Sequence, residues 1–116
     1  VTVYGVDSKD DIVSRALSFT KTYFEYFEGY FGINYTLPKL DIVTTSGFAF
    51  GGMEHWGAIL LDNYDIKAEV KERGTFFAHE VIHQWLGNLA TNFWWSAIWI
   101  QEAPTYYLAS LVSSKL

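Results

Sequence analysis

The stretch His79-Glu80-Val81-Ile82-His83 reads H-E-x-x-H and is the most informative segment of the chain. Each residue of a helix turns about 100°, so His79 and His83 lie one turn apart on the same face. Two imidazoles placed in this way can bind one zinc ion, and Glu80 lies within reach of a metal-bound water. Apolar residues at helical spacing predict that this helix is buried on most sides. They are Phe76, Phe77, Val81, Ile82, Trp85, Leu86 and Leu89.

Two interpretations of the pentapeptide are open: a zinc site, or two core histidines beside a chance glutamate. A catalytic zinc needs three protein ligands, and Glu102 is a candidate for the third because eighteen residues separate it from His83. That spacing leaves room for the first helix to end near Gly87-Asn88 and for a connection over residues 92–96. A second helix from about Ile100 would then return Glu102 to the metal.

Two motifs resemble one family. H-E-x-x-H, eighteen residues and then E is the pattern of the zinc aminopeptidases related to aminopeptidase N, puromycin-sensitive aminopeptidase and leukotriene hydrolase. The run from His79 to Leu89 resembles that family throughout, as does Trp94-Trp95. Upstream, the segment 51–57, Gly-Gly-Met-Glu-His-Trp-Gly, is similar to the family's G-A-M-E-N-W-G exopeptidase motif.

The resemblance implies an α+β fold, with residues 1–116 forming part of one thermolysin-like catalytic domain. The family's N-terminal β domain and C-terminal helical domain would lie outside this segment, as partners of it. The implied activity is zinc-dependent removal of the N-terminal residue from a peptide with a free N-terminus. The implied roles are zinc ligation by His79, His83 and Glu102, general-base catalysis by Glu80, amine binding by Glu54, and backbone alignment by Gly51, Gly52 and Met53.

The chain departs from the family pattern at two places. His55 replaces the asparagine of the exopeptidase motif, either as a titrating group near the substrate amine or as a tolerated polar replacement. Ala103-Pro104-Thr105 follows Glu102 where the family has Gly-Phe-Ala, and proline biases the preceding Ala103 away from helical geometry. The resemblance also implies a tyrosine that stabilises the oxyanion, at a position after Leu116. Tyr106 and Tyr107 come too early to match it.

Composition excludes several classes of protein. The chain has 116 residues, a net charge of −5 and no cysteine. A disulfide scaffold and a thiolate zinc site are therefore excluded. The negative charge argues against a nucleic-acid surface, and no stretch is long enough for a transmembrane helix. The hydrophobic content of 50% is sufficient for a substantial core.

The remaining segments predict a small sheet followed by the metal-site helices. Strands are expected over residues 1–6 and 39–45, the second with Leu40, Ile42 and Thr44 on one face, and extended chain through 58–61. A long helix is expected from about Lys9 to Phe31, capped by Asp7-Ser8 and closed by Gly32. Residues 46–52 and 63–74 are expected to be loops. Gly51-Gly52 suits either a turn or the close approach of a bound peptide.

Two short segments resemble cellular addresses. Asn34-Tyr35-Thr36 is a glycosylation sequon, which favours an extracellular or plasma-membrane location over the cytoplasm. Ser114-Lys115-Leu116 matches a peroxisomal tripeptide, but the sequence ends there within a predicted helix, which argues against a peroxisomal address. Two other functions remain open beside the aminopeptidase: a non-catalytic relative that binds peptides or acts as a receptor module, and a zinc endopeptidase.

Overall fold

The computed structural model describes residues 1–68 and 74–116 and has an α+β fold, as the sequence predicts. In chain order the elements are β1 (Thr2–Gly5), α1 (Asp10–Phe31), β2 (Asp41–Thr45), β3 (Gly52–Met53), β4 (Ala58–Asp62), α2 (Asn63–Ala68), α3 (Thr75–Ile82) and α4 (Ile98–Ser113). Because α1 connects β1 to β2, the order is not simply a sheet followed by helices. Among the described helices, none is both long and apolar enough to cross a membrane.

The four strands form one sheet in the order β1-β2-β4-β3. β1, β2 and β4 are parallel, whereas β3 pairs antiparallel with β4 and places Met53 opposite Leu60. The predicted alternation along β2 is confirmed, since Leu40, Ile42 and Thr44 are all buried. β3 is an edge strand, so the chain that leads to Glu54 lies at the border of the sheet.

Helix α1 supplies one wall of the core. It ends as predicted at Gly32, whose φ of 62° is in the left-handed region that glycine tolerates. The predicted cap is wrong, because the Ser8 hydroxyl donates to the carbonyl of Thr44 and to Asn63 Oδ1 instead of capping the helix. The Phe19 ring of α1 stacks on Phe77 of α3 with a centroid separation of 5.0 Å. This contact holds the metal-site helix against α1.

Helix α2 corrects the prediction of a loop over residues 63–74. Asp62 accepts a hydrogen bond from the backbone N–H of Tyr64 at 2.7 Å, which satisfies one of the free donors at the start of the helix. Ile66 then buries its side chain completely. This acidic cap followed by an apolar residue was the signal in the sequence. The part of that prediction that concerns residues 69–73 lies outside the described residues.

Helix α3 ends earlier than predicted, at Ile82 rather than near Gly87-Asn88. The backbone N–H of Trp85 donates to Ile82 at 2.9 Å, a spacing of three residues, so the last turn tightens. Asn88 then donates to the carbonyl of His83 at 3.0 Å. His83 consequently caps α3 while keeping its place one turn after His79.

Helix α4 begins two residues before the predicted start and continues through Pro104 as one helix to Ser113. The expected bias of Ala103 away from helical geometry is therefore not observed. The hydroxyl of Thr105 donates to the carbonyl of Gln101 at 2.8 Å, next to the proline. Glu102 lies on this helix, opposite α3.

Candidate metal and peptidase site

Three candidate metal ligands converge where α3 faces α4. The Nε2 atoms of His79 and His83 are 3.1 Å apart. Glu102 Oε2 lies 3.5 Å from each of them. These three residues form the group of possible metal ligands found among the described residues. The i, i+4 pair and the distant glutamate thus come together as the sequence predicts.

The spacing of the three atoms fits a zinc ion. Two ligand atoms bound to a tetrahedral zinc at about 2.0–2.1 Å are about 3.3–3.4 Å apart. The observed separations of 3.1 and 3.5 Å bracket that value. His83 Nδ1 lies 3.0 Å from the carbonyl oxygen of Leu86. Because a carbonyl only accepts, Nδ1 carries the hydrogen and the Nε2 lone pair of His83 faces the cluster.

Burial keeps His79 neutral. Burial and, to a smaller extent, the nearby His83 together lower the pKa of His79 to about 4, against the opposing effect of Glu54. His83 is buried with 1% of its side chain exposed, while 44% of the Glu102 side chain is exposed. A neutral imidazole is the form that binds a metal. The cluster therefore combines one buried and one partly exposed nitrogen donor with a carboxylate open to solvent.

Glu80 is a buried carboxyl beside this cluster. It is 6% exposed, and burial together with the negative charges of Glu54 and Glu102 raises its pKa to about 8. Within residues 1–68 and 74–116, its Oε2 atom has no hydrogen-bond partner. Such an atom is costly to bury unless something else binds it or it takes part in chemistry. A cation held by the neighbouring ligands would offset the repulsion between the carboxylates.

Glu54 follows the edge strand β3 and faces the end of the metal cluster. Gln101 Nε2 donates to Glu54 Oε1 at 3.4 Å, and Gln101 precedes Glu102 in α4. Gly51, Gly52 and Met53 are where the sequence places them, immediately before Glu54 on or beside the edge strand. His55 is exposed, and its backbone carbonyl accepts a hydrogen bond from Ala58 at 2.9 Å.

Two clefts share Glu102 in their walls. One, of about 590 Å³, is lined by His79, Trp99 and Tyr106 among others and is almost wholly apolar. The other, of about 680 Å³, is lined by Met53, Glu54 and Gln101 among others. The candidate metal site thus opens onto two spaces large enough for parts of a peptide.

Sequence reasoning missed three amide side chains at the site, those of Gln84, Asn88 and Gln101. Gln84 and Asn88 both donate to the backbone carbonyl of Glu54, at 3.2 and 2.6 Å. Gln84 and Asn88 belong to the run after His83 that resembles the family, and Gln101 precedes the third ligand. Their partners, however, are at least thirty residues away in sequence. The positions could be noticed in the sequence, but the contacts could not be derived from it.

Comparison with known proteins agrees with this geometry. The family model described as the peptidase family M1 domain matches residues 15–116. The chain belongs to peptidase family M1. Among M1 relatives, it is 40% identical over 108 residues to aminopeptidase A of Gloydius brevicauda and 37% identical over 110 residues to human glutamyl aminopeptidase. It is also 40% identical over 111 residues to aminopeptidase Q of Mus musculus.

The alignments cover most of this chain but a small part of each M1 relative. They include 86%, 88% and 85% of the chain, and 11%, 12% and 20% of the respective relatives. The chain therefore spans between about a tenth and a fifth of the length of these proteins. The residues matched by the family model, 15–116, contain both the exopeptidase-like motif and the three candidate metal ligands.

Proposed function

We propose that this chain is the catalytic core of a zinc-dependent aminopeptidase with a thermolysin-like arrangement, which removes the N-terminal residue from peptides. The observation that carries the proposal is the triangle formed by His79, His83 and Glu102, with Glu80 and Glu54 beside it. Membership of family M1 and the names of the relatives support it.

In this proposal His79, His83 and Glu102 hold the zinc ion. When bound, zinc polarises the scissile carbonyl and lowers the pKa of water to about 7. Glu80 accepts the proton of the attacking water and passes it to the leaving amine. In the metal-free chain burial and the negative charges of Glu54 and Glu102 raise the pKa of Glu80, and the positive charge of a bound zinc would favour the carboxylate form that accepts the proton.

Recognition of the substrate falls to the edge strand and to Glu54. Among the described strands β3 pairs only with β4, so its outer edge could form backbone hydrogen bonds with an extended peptide. Glu54 receives the protonated α-amine of the substrate in a charge-assisted hydrogen bond. The carboxylate thereby limits the reaction to the first peptide bond, because an acylated nitrogen carries no charge.

The test compares a short peptide with its N-acetylated form, using the complete natural polypeptide and measuring zinc by elemental analysis. We expect one zinc per chain and at least a hundredfold preference for the free amine, because the acetylated peptide would leave the Glu54 carboxylate without a cationic partner when it occupies the site. Glu54→Gln should reduce that preference, while Glu25→Gln, at an exposed position on α1, should not.

Other outcomes separate the alternatives. Comparable cleavage of both peptides would identify an endopeptidase instead. Peptide binding without hydrolysis, at full zinc occupancy, would identify a binding or receptor module.

A further inference from the structure

The backbone carbonyl of Glu54 is held by two amide side chains from the turn that follows the metal-site helix. Gln84 Nε2 donates to this oxygen at 3.2 Å and Asn88 Nδ2 at 2.6 Å. Gln84 is the residue directly after His83, and the backbone N–H of Asn88 donates to the carbonyl of His83 at 3.0 Å. Both tethers of Glu54 therefore start from the immediate surroundings of a candidate metal ligand.

Gln84 is buried, with 1% of its surface exposed, and the hydrogen-bonding capacity of its amide is used on both sides. Its Oε1 accepts from the backbone N–H of Gly57 at 3.0 Å and from the hydroxyl of Tyr35 at 3.2 Å. Its Nε2 also lies 3.5 Å from the carbonyl of His55. The partners on each side fix the orientation of the amide, and a side chain of another type would leave buried groups unpaired.

The same segment is held from the opposite helix. Gln101, next to Glu102 on α4, donates to the Glu54 carboxylate itself at 3.4 Å. Glu54 is thus bonded to residues on both sides of the metal cluster. Its backbone carbonyl is bonded to Gln84 and Asn88 after α3, and its carboxylate is bonded to Gln101 on α4. The position of this carboxylate relative to the cluster is determined by hydrogen bonds and not by the length of a loop.

We infer that Gln84 and Asn88 are positioning residues that set the distance between the metal ligands and Glu54, and so determine how the substrate amine is recognised. The inference rests on the proposed aminopeptidase function. In any α-amino acid the amine and the carbonyl carbon are separated by a single carbon, so one substrate must satisfy both Glu54 and the metal cluster at a fixed spacing. A displacement of about 1 Å in such a site can cost about a hundredfold in rate.

A purely structural role would have a different signature. Loss of buried hydrogen bonds lowers stability whatever residue occupies position 54, whereas a positioning role acts only through the Glu54 carboxylate. A double-mutant cycle separates the two, because a contribution made through Glu54 disappears when that carboxylate is removed.

The experiment combines Gln84→Met with Glu54→Gln in the complete natural polypeptide at matched zinc content, with a free-amine peptide as substrate. Methionine keeps the length of the side chain but donates no hydrogen bond. We expect Gln84→Met to lower kcat/KM about ten- to hundredfold, mainly through KM. In the Glu54→Gln background, the same substitution should change kcat/KM less than twofold.

Asn63→Leu is the matched control. Asn63 is a buried amide, 4% exposed, whose side chain bonds to Ser46 and Ser8, and among the hydrogen bonds of the described residues none joins it to Glu54. Its replacement should lower the melting temperature but change kcat/KM by the same factor in both backgrounds. If Gln84→Met does not fold, Asn88→Ala enters the same cycle, since Asn88 makes the shorter bond to Glu54.

Two results would overturn the inference. The first is an equal loss of kcat/KM in both backgrounds, and the second is no loss with either Gln84→Met or Asn88→Ala. If the parent protein hydrolyses no peptide at all, the proposed function fails and this inference fails with it. If the parent protein hydrolyses the peptide but the double-mutant cycle is additive, this inference fails and the proposed function stands.

Discussion

Glu80 and Gly52 are packed so closely that each determines what the other can be. A Cβ atom added to Gly52 would lie 2.5 Å from Glu80 Cδ and 2.9 Å from Cγ, and closer still to Oε1. Such distances require the carboxyl to move. The paired glycines thus have a role that was not apparent in the sequence, because Gly52 leaves room for the candidate base beside the edge strand.

We expect Glu80→Gln to reduce turnover by at least about a hundredfold while zinc remains bound. Glutamine preserves the shape of the side chain but cannot accept the proton of the attacking water, and general-base catalysis contributes about 10²–10⁴-fold. Peptide hydrolysis and zinc content are measured on the same preparation, with the exposed Glu25→Gln as control. Near-normal hydrolysis by Glu80→Gln would show that another group takes the proton.

The raised pKa of Glu80 predicts how stability depends on pH in the metal-free protein. Between about pH 6.5 and 8 the folded chain holds a proton on Glu80, with a pKa of about 8, that the unfolded chain has released at its ordinary value of 4.5. Folding is therefore favoured at the lower pH and loses stability as the pH rises through this window. His79, with its pKa lowered from 6.5 to about 4, has the opposite effect, but only below the window.

One pKa unit corresponds to about 1.4 kcal/mol. The free energy of unfolding should therefore fall by roughly 1–2 kcal/mol between pH 6.5 and 8. Chemical denaturation in the presence of a chelator measures it. Glu80→Gln has no proton to release and should flatten the decline. A decline of the same size in Glu80→Gln would assign it to other groups.

At the residue scale, local spacing was enough to predict part of the site. His79, Glu80 and His83 are related by the geometry of a single helical turn. Glu102 could be identified from the resemblance and from the room that eighteen residues allow. The amide tethers from Gln84 and Asn88 span thirty or more residues, so their geometry depends on the complete fold.

At the element scale, α4 contains a proline in its interior. Pro104 has no N–H to donate to the carbonyl of Ile100 four residues earlier, and its ring crowds that carbonyl. The helix nevertheless presents Glu102 to the two histidines, because the glutamate precedes the proline. The sequence-based prediction that Pro104 takes Ala103 out of helical geometry is wrong, because α4 begins at Ile98 and includes both residues.

We predict that Pro104→Ala raises the free energy of unfolding by about 1–2 kcal/mol. Alanine restores the hydrogen bond and relieves the crowding, worth about 3 kcal/mol, while the unfolded chain regains about 1 kcal/mol of conformational entropy. Pro104 is exposed, so little packing is lost. Urea denaturation measures the change, and Ser110→Ala, at an exposed position on the same helix, should change stability by less than about 0.5 kcal/mol. A lower stability for Pro104→Ala would mean that the proline ring or its fixed φ stabilises this part of α4.

The elements that sequence reasoning placed well are those with long periodic patterns, such as α1, or alternating burial, such as β2. Those it misplaced depend on a few specific bonds. Helix α2 begins with a single hydrogen bond to Asp62, and α3 ends early because the turn after His83 tightens. Hydrophobic periodicity predicts neither the start of α2 nor the end of α3. Trp85, for example, is buried although it lies beyond the end of α3.

At the scale of the whole molecule, aromatic side chains are concentrated on the surface near the candidate site. Phe93 is fully exposed, and Trp95 and Trp99 are 74% and 65% exposed. Tyr106 and Tyr107, on the same helix as Glu102, are each 66% exposed. Exposed apolar areas of this kind mark surfaces of interaction. The exposed aromatic side chains around Glu102 are therefore a candidate interaction surface.

The 116-residue chain by itself should therefore be a poor catalyst even when it binds zinc. The ligands and Glu80 are enough to activate water, but the family resemblance implies a tyrosine after Leu116 that stabilises the oxyanion, and losing one such donor costs about 10²–10³ in rate. An open site also lets water weaken each electrostatic contact. The measurement compares kcat/KM of this chain and of a longer polypeptide that extends beyond Leu116, at equal zinc content, with Glu80→Gln as the inactive reference for both. We expect the longer polypeptide to be at least a hundredfold more active. Equal activity would show that the site is complete within residues 1–116 and that the exposed aromatic surface serves something other than catalysis.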